Sequence, residues 1–262
     1  MVQQQARILL FGFKCLSIVR LQSSSGKAMH EIIPRVTQLE KVAGLLDEKL
    51  PYSSRIALIL ADNFVEVVMH RRCRDEFAAD ALFRRPEFSR WSAKRREQIL
   101  RGEFKDKINF VKGELDLLDT DDAAFFKFGH ELRNAAYHAD EYQFDIIDNI
   151  ARTYFAKACR TYPKLRGPGI AFSNSAIEKQ FLERHGFSDS FEFATGDDFE
   201  QLCQKLAASR PCSLEQLATS LSNNLVRRID SLTGTEGEYG ALDEIGERSI
   251  IEANSICEPF CA

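Results

Sequence analysis

The sequence contains no Cys-x-x-Cys pair, and its seven cysteines (Cys15, Cys73, Cys159, Cys203, Cys212, Cys257 and Cys261) are odd in number and scattered. A disulfide framework or a zinc knuckle needs paired spacings, so the expectation is free thiols, mostly buried, in a reducing compartment. Cys257 and Cys261 stand one helical turn apart, but no further His or Cys pair completes a metal set. No stretch reaches ~18 consecutive apolar residues, which argues against a membrane span. Strong positive charge is missing too: the net charge of −4 excludes a generally basic nucleic-acid binder, while leaving room for a local basic patch. Repeats at solenoid periods are absent. Gly26-Lys27 lacks the upstream glycine of a phosphate loop, so nothing supports nucleotide binding there.

What is there is a chain of 262 residues with the apolar and charged content of an ordinary globular protein, long enough for one large domain or two small ones. Residues 8–19 are largely apolar and interrupted by Lys14, and Arg20 and Ser23-Ser24-Ser25-Gly26 follow. Lys14 interrupts the apolar centre that a signal peptide requires. Residues 1–28 therefore read as a loosely ordered arm, with the folded part starting near Met29 and a cytoplasmic location expected.

Apolar spacing marks a helix over 36–50 (Val36, Leu39, Val42, Leu45, Leu46, Leu50), with Pro34 in its first turn and Pro51 at its end. Ser53 or Ser54 is placed to cap a second helix over about 55–79, apolar on most sides and hence central. From His70 to Lys107 twelve basic residues face seven acids, with a break at Arg84-Arg85-Pro86. Trp91, Ile99, Leu100, Phe104, Ile108 and Val111 suggest a third, amphipathic helix. Asp121-Asp122 can cap a fourth helix carrying Phe125, Phe128 and Leu132, and a fifth begins near Asp140.

Leu165-Arg166-Gly167-Pro168-Gly169 is the strongest break and the expected boundary. Beyond it, Ser175 with Glu178 matches a capping box and Gly186 can close that helix. Residues 191–195 suggest a short strand, and 197–208 and 213–232 read as helices, the latter capped by Ser213. From Gly234 onward seven acids stand against one Arg, an acidic tail. Helices dominate, so the expected fold is all-α: a bundle of four or five helices over 29–165 and a mainly helical extension over 166–262.

One segment carries chemistry: Phe128-Gly-His-Glu-Leu-Arg-Asn-Ala-Ala-Tyr-His138. Arg-x4-His alone is a weak pattern. Here Asn follows the Arg, Tyr precedes the His, and the whole ends a well-patterned helix late in the bundle. The segment resembles the R-x(4–6)-H signature of the HEPN superfamily, over roughly residues 29–165. That resemblance implies a metal-independent endoribonuclease without cofactor, a toxin or defence effector acting on RNA. It also implies a homodimer through the motif helices, and leaves room for an antitoxin or other regulatory protein partner. It equally admits a catalytically inactive helical binding or sensing module. Some HEPN toxins carry a modifiable Tyr two residues after the His; here that position is Asp140, with Tyr142 nearest, which puts that mode of control in doubt.

The residue types suit the chemistry. RNA supplies its own nucleophile, the 2′-hydroxyl. Arg133 would stabilise charge on the phosphorane, His138 would be the acid/base, and Asn134, one turn before His138, would orient it. Arg133 and His138 are about 140° apart on an ideal helix. A helix end between them or a two-fold dimer would bring them together. The plain alternative is that Arg133 pairs with Glu131 or Asp140 while His138 caps a helix.

Asp62, Asn63, Glu66 and His70 form a polar stripe on the central helix. Either they face the motif across the bundle and orient it, with Asp62 and Glu66 as supporting residues, or they form a narrow solvated face. Arg71, Arg72 and Arg74 extend the stripe and either contact the RNA backbone or form an ordinary helix end with Asp75 and Glu76.

Overall fold

The computed structural model describes residues 28–48, 50, 52–138, 144–166, 175–188, 193, 197–210 and 214–233. Among these the chain is all-helical, with no strand. The helices are α1 (Ala28–Asp47), α2 (Ser53–Phe83), α3 (Ala93–Arg101), α4 (Phe104–Gly113), α5 (Thr120–His138), α6 (Phe144–Leu165), α7 (Ala176–His185), α8 (Asp198–Ala208) and α9 (Leu214–Thr233), with a 3-10 turn at Pro86–Phe88.

Helices α2 and α6 lie together at the centre, and α1, α4 and α5 pack around α2. The central position follows from the sequence: Ala57, Leu58, Ala61, Phe64, Val65, Val68 and Met69 are all buried, on more than one side of α2. On α6, Ile150, Ala151, Tyr154, Phe155 and Ala158 are buried, the spacing of an inward stripe. Helices α8 and α9 lie on α6, and α7 on α1. One aromatic chain crosses from bundle to extension: Phe64 meets Tyr162 edge-on at 5.0 Å, Tyr162 meets Phe199 at 5.2 Å, and Phe199 meets Phe193 at 5.8 Å. The hydrophobic core is therefore continuous from α1 to α9.

Several boundaries differ from the sequence reading, each for a local reason. Helix α1 starts at Ala28, so Pro34 lies inside it instead of in its first turn. Neither Ser53 nor Ser54 caps α2: the Ser53 hydroxyl donates to Glu48 at 2.8 Å and that of Ser54 to Asp148 at 2.6 Å. Pro51 lies outside the described residues. The single helix expected from Trp91 to Val111 is two, broken at Gly102. A Cβ at Gly102 would sit 2.5 Å from both Asp106 Oδ2 and the Gln98 carbonyl, so glycine permits the corner. Glu103 and Asp106 then form a capping box that starts α4, and Lys107 Nζ donates to the Gly102 carbonyl at 2.6 Å. Asp119, not Asp121 or Asp122, accepts the free backbone N–H of Asp122 at 2.7 Å. For α7 the Ser175 half of the expected capping box forms, its hydroxyl accepting from the Glu178 N–H, and Gly186 closes the helix at φ +78°.

The arm (1–27), the tail (234–262), the Ser213 cap and, apart from the buried helical Phe193, the strand suggested at 191–195 lie outside the described residues. No helix among the described residues is long and apolar enough to cross a membrane.

Candidate active site

The site is built around Asp62, on the third turn of α2, fully buried at 0 % exposure. A carboxylate there needs partners, because desolvating a charge costs several kcal/mol, of the order set by burial alone. Its partners come from two other helices. From α5, Arg133 Nε donates to Asp62 Oδ2 at 2.8 Å and Arg133 Nη2 lies 2.7 Å from the same oxygen. His130 Nδ1 lies 3.0 Å from Oδ2 and 3.2 Å from Oδ1. From α6, the Tyr154 hydroxyl donates to Oδ1 at 2.7 Å. The carboxylate ties the central helix to both of its neighbours.

Two features make the approach possible. Gly129 lets α5 lie against the Tyr154 ring: a Cβ there would stand 2.5 Å from Cε2 and closer still to Cδ2. Phe104, at the start of α4, stacks on the His130 ring with centroids 4.4 Å apart and planes at 31°.

Electrostatics follow from this packing. Burial by itself would raise the Asp62 carboxyl; hydrogen bonds from His130 and Tyr154, with the charges of His130 and Arg133, outweigh it and hold the group below its ordinary value. Burial, reinforced by the Asp62 charge, pushes the Tyr154 phenol well above its ordinary value, so it remains a donor. Farther along α2, burial and the charges of Lys107 and Arg74 lower the His70 imidazole, while Glu66 pulls the other way.

The polar stripe therefore divides. Asp62 and Glu66 face the motif helix: Glu66 Oε2 lies 3.8 Å from Arg133 Nη2 at the partly exposed rim. Asn63 is exposed and turns toward α1, accepting from Gln38 Nε2 at 3.2 Å. Arg133 thus pairs with an acid on another helix, 71 positions earlier, and not with Glu131; Asp140 lies outside the described residues. Asn134 is half-buried on the next position of α5. Helix α5 runs unbroken through His138, so no helix end lies between Arg133 and His138 and the offset between them stands within one chain. The side chain of His138, and all of Asp140 and Tyr142, lie outside the described residues.

The three arginines beyond the stripe are each beside an acid. Arg71 pairs with Glu31 of α1 and lies 3.6 Å from Asp75, Arg72 Nη2 lies 2.8 Å from Glu76, and Arg74 lies 4.0 Å from Asp75. That is the geometry of a charged helix surface.

Asp62, Glu66 and His130 each present a ligand atom within 4.8 Å of the others, a set that could hold a metal ion. Among them, however, the cation in place is the Arg133 guanidinium, which already takes two positions on Asp62 Oδ2. Buried Cys73 and Cys203 are poor nucleophiles, since burial pushes each thiol up to about 12, and Cys159 is raised well above its ordinary value by the same cause.

His130 and Tyr154 were not singled out by the sequence. His130 had a signal, standing three before Arg133 and hence on the same helical face. Tyr154 had none, since its spacing is that of a core aromatic.

No family model matches the chain, and comparison with curated proteins and with solved structures returns no match.

Proposed function

We propose that the protein is an HEPN-type, metal-independent endoribonuclease that acts as a homodimer. The observation that carries this reading is the anchoring of Arg133: its guanidinium is fixed by a buried carboxylate while its side chain remains 23 % exposed. Asp62 engages Nε and Nη2, and no hydrogen bond among the described residues takes Nη1, which is a donor for a phosphate oxygen. Fixed cationic donors of this kind stabilise charge that develops on a phosphorane without reorganising during the reaction. Arg133 stabilises the phosphate, His138 transfers a proton and Asn134 orients it. Because Arg133 and His138 diverge on one unbroken helix, the site is composite and needs both chains of a two-fold dimer. A toxin or defence role, checked by a partner protein, fits an enzyme of this class.

The test is cleavage of RNA by the purified full chain in EDTA. The expected result is products ending in a 2′,3′-cyclic phosphate, with cleavage lost in His138→Ala. Equal cutting by the two proteins overturns the reading. Cleavage that requires a divalent cation overturns it as well, and directs attention to Asp62, Glu66 and His130 as ligands.

One observation favours a second reading, a catalytically silent binding module. Arg133 is held through both Nε and Nη2, as a purely structural ion pair would be. That reading expects no cleavage from the wild-type protein at any concentration.

A further inference from the structure

Three groups converge on Asp62 beside the exposed rim, and one of them is a histidine outside the Arg-x4-His pattern. Ionised Asp62 can only accept, so the 3.0 Å contact with His130 requires the proton on Nδ1. Arg133 Nη2, 3.2 Å from that nitrogen, is then a second donor aimed at the same carboxylate and not a partner of the ring. With Nδ1 committed to Asp62, Nε2 is the ring nitrogen left to accept a proton, and it points away from Asp62. The Phe104 ring covers one face of the imidazole and limits its rotation. The side chain is 20 % exposed, beside Arg133 at 23 % and Glu66 at 40 %. A carboxylate that fixes the tautomer and orientation of a histidine, next to a fixed cation, is the arrangement a proton-transfer site requires.

We propose that His130 is a catalytic base of this site, oriented by Asp62 as a positioning residue, and that it takes the proton of the attacking hydroxyl within the same chain that supplies Arg133. The proposal rests on the ribonuclease reading and deepens it. Nε2 accepts the 2′-hydroxyl proton as the O2′–P bond forms. The P–O5′ bond breaks on the opposite side, and O5′ leaves with the proton whose transfer the ribonuclease reading assigns to His138 of the second chain. The His130 imidazolium then returns its proton to solvent and solvent reprotonates His138, which restores both groups. Arg133 pairs with the phosphate throughout. Beside the ring stand Asp62 and Glu66 of α2 and Arg133 of its own helix, and Tyr154 of α6 donates to Asp62. His138 does not compete for this role in one chain, since eight residues of helix separate it from His130 by ~12 Å along the axis.

The experiment compares cleavage by the wild-type full chain and His130→Ala in EDTA, with and without added imidazole, alongside the His130 tautomer read by long-range 1H–15N NMR. The expected results are a ~10²–10⁴-fold loss in His130→Ala, partial recovery with imidazole, and an Nδ1–H tautomer in the wild type. His130→Gln, which can keep a hydrogen bond to Asp62, should fold with near wild-type thermal stability and remain inactive. Cleavage that persists in a folded His130→Gln overturns the assignment to His130 and leaves the ribonuclease reading standing. So does an Nε2–H tautomer, or a loss in His130→Ala that imidazole fails to restore. No cleavage by the wild type overturns both.

Discussion

Asp62 has no exposed surface and is held by three side chains: Arg133, His130 and Tyr154. Removing a buried ion's partner is costlier than the pair is worth, because the remaining charge is stranded. Asp62→Ala is therefore expected to destabilise the fold by roughly 3–5 kcal/mol, read by urea denaturation. The pH dependence has a definite sign. The folded carboxyl releases its proton more readily than an unfolded one, so its contribution is fully present above the ordinary carboxylate range near ~4 and declines as pH falls through the lower folded value. The stability gap between wild type and Asp62→Asn should narrow with acidification over that window; a gap independent of pH would contradict the ionised state. At this scale the sequence was partly legible. An acid on an apolar helix demands a partner, and Glu131 is a natural candidate for Arg133 because it is near it in sequence. The actual pairing spans two helices, and no local pattern encodes it.

The close approach of α5 and α6 depends on one residue without a side chain. Gly129 sits under the Tyr154 ring, and on helix propensity alone α5 would gain about 1 kcal/mol by carrying alanine there. Packing decides the other way. Gly129→Ala should push the ring aside, draw the hydroxyl off Asp62 and destabilise by ~1–3 kcal/mol, read as a lower thermal midpoint. A neutral or stabilising effect would show that the helices do not meet as described. Element types were readable from apolar spacing for α2, α5 and α6. Element ends were not, wherever tertiary contacts recruited the expected caps: Ser53 and Ser54 serve Glu48 and Asp148 instead of the α2 terminus. The break at Gly102 was written in the sequence as glycine followed by Glu103 and Asp106, but a continuous apolar stripe on either side concealed it.

The whole molecule places the charged network at the meeting of the central helix and two neighbours, under a rim that includes Glu66 and Arg133. The helical class followed from periodicity. The continuity of the core did not, because Tyr162, Phe199 and Phe193 meet only in three dimensions. If the catalytic unit is composite, light scattering should give twice the chain mass at concentrations where RNA is cut. A monomer with full activity would contradict the two-chain site and would leave His130 as the acid–base group of a single-chain one.

The proposed function requires Arg133 to meet the scissile phosphate. Single-turnover cleavage of a defined RNA in EDTA, wild type against Arg133→Ala and Arg133→Lys, measures that directly. The expected result is a fall of at least ~10²-fold for Arg133→Ala, with lysine restoring only part of the rate because it lacks the planar fork. Unchanged cleavage in a folded Arg133→Ala would contradict it.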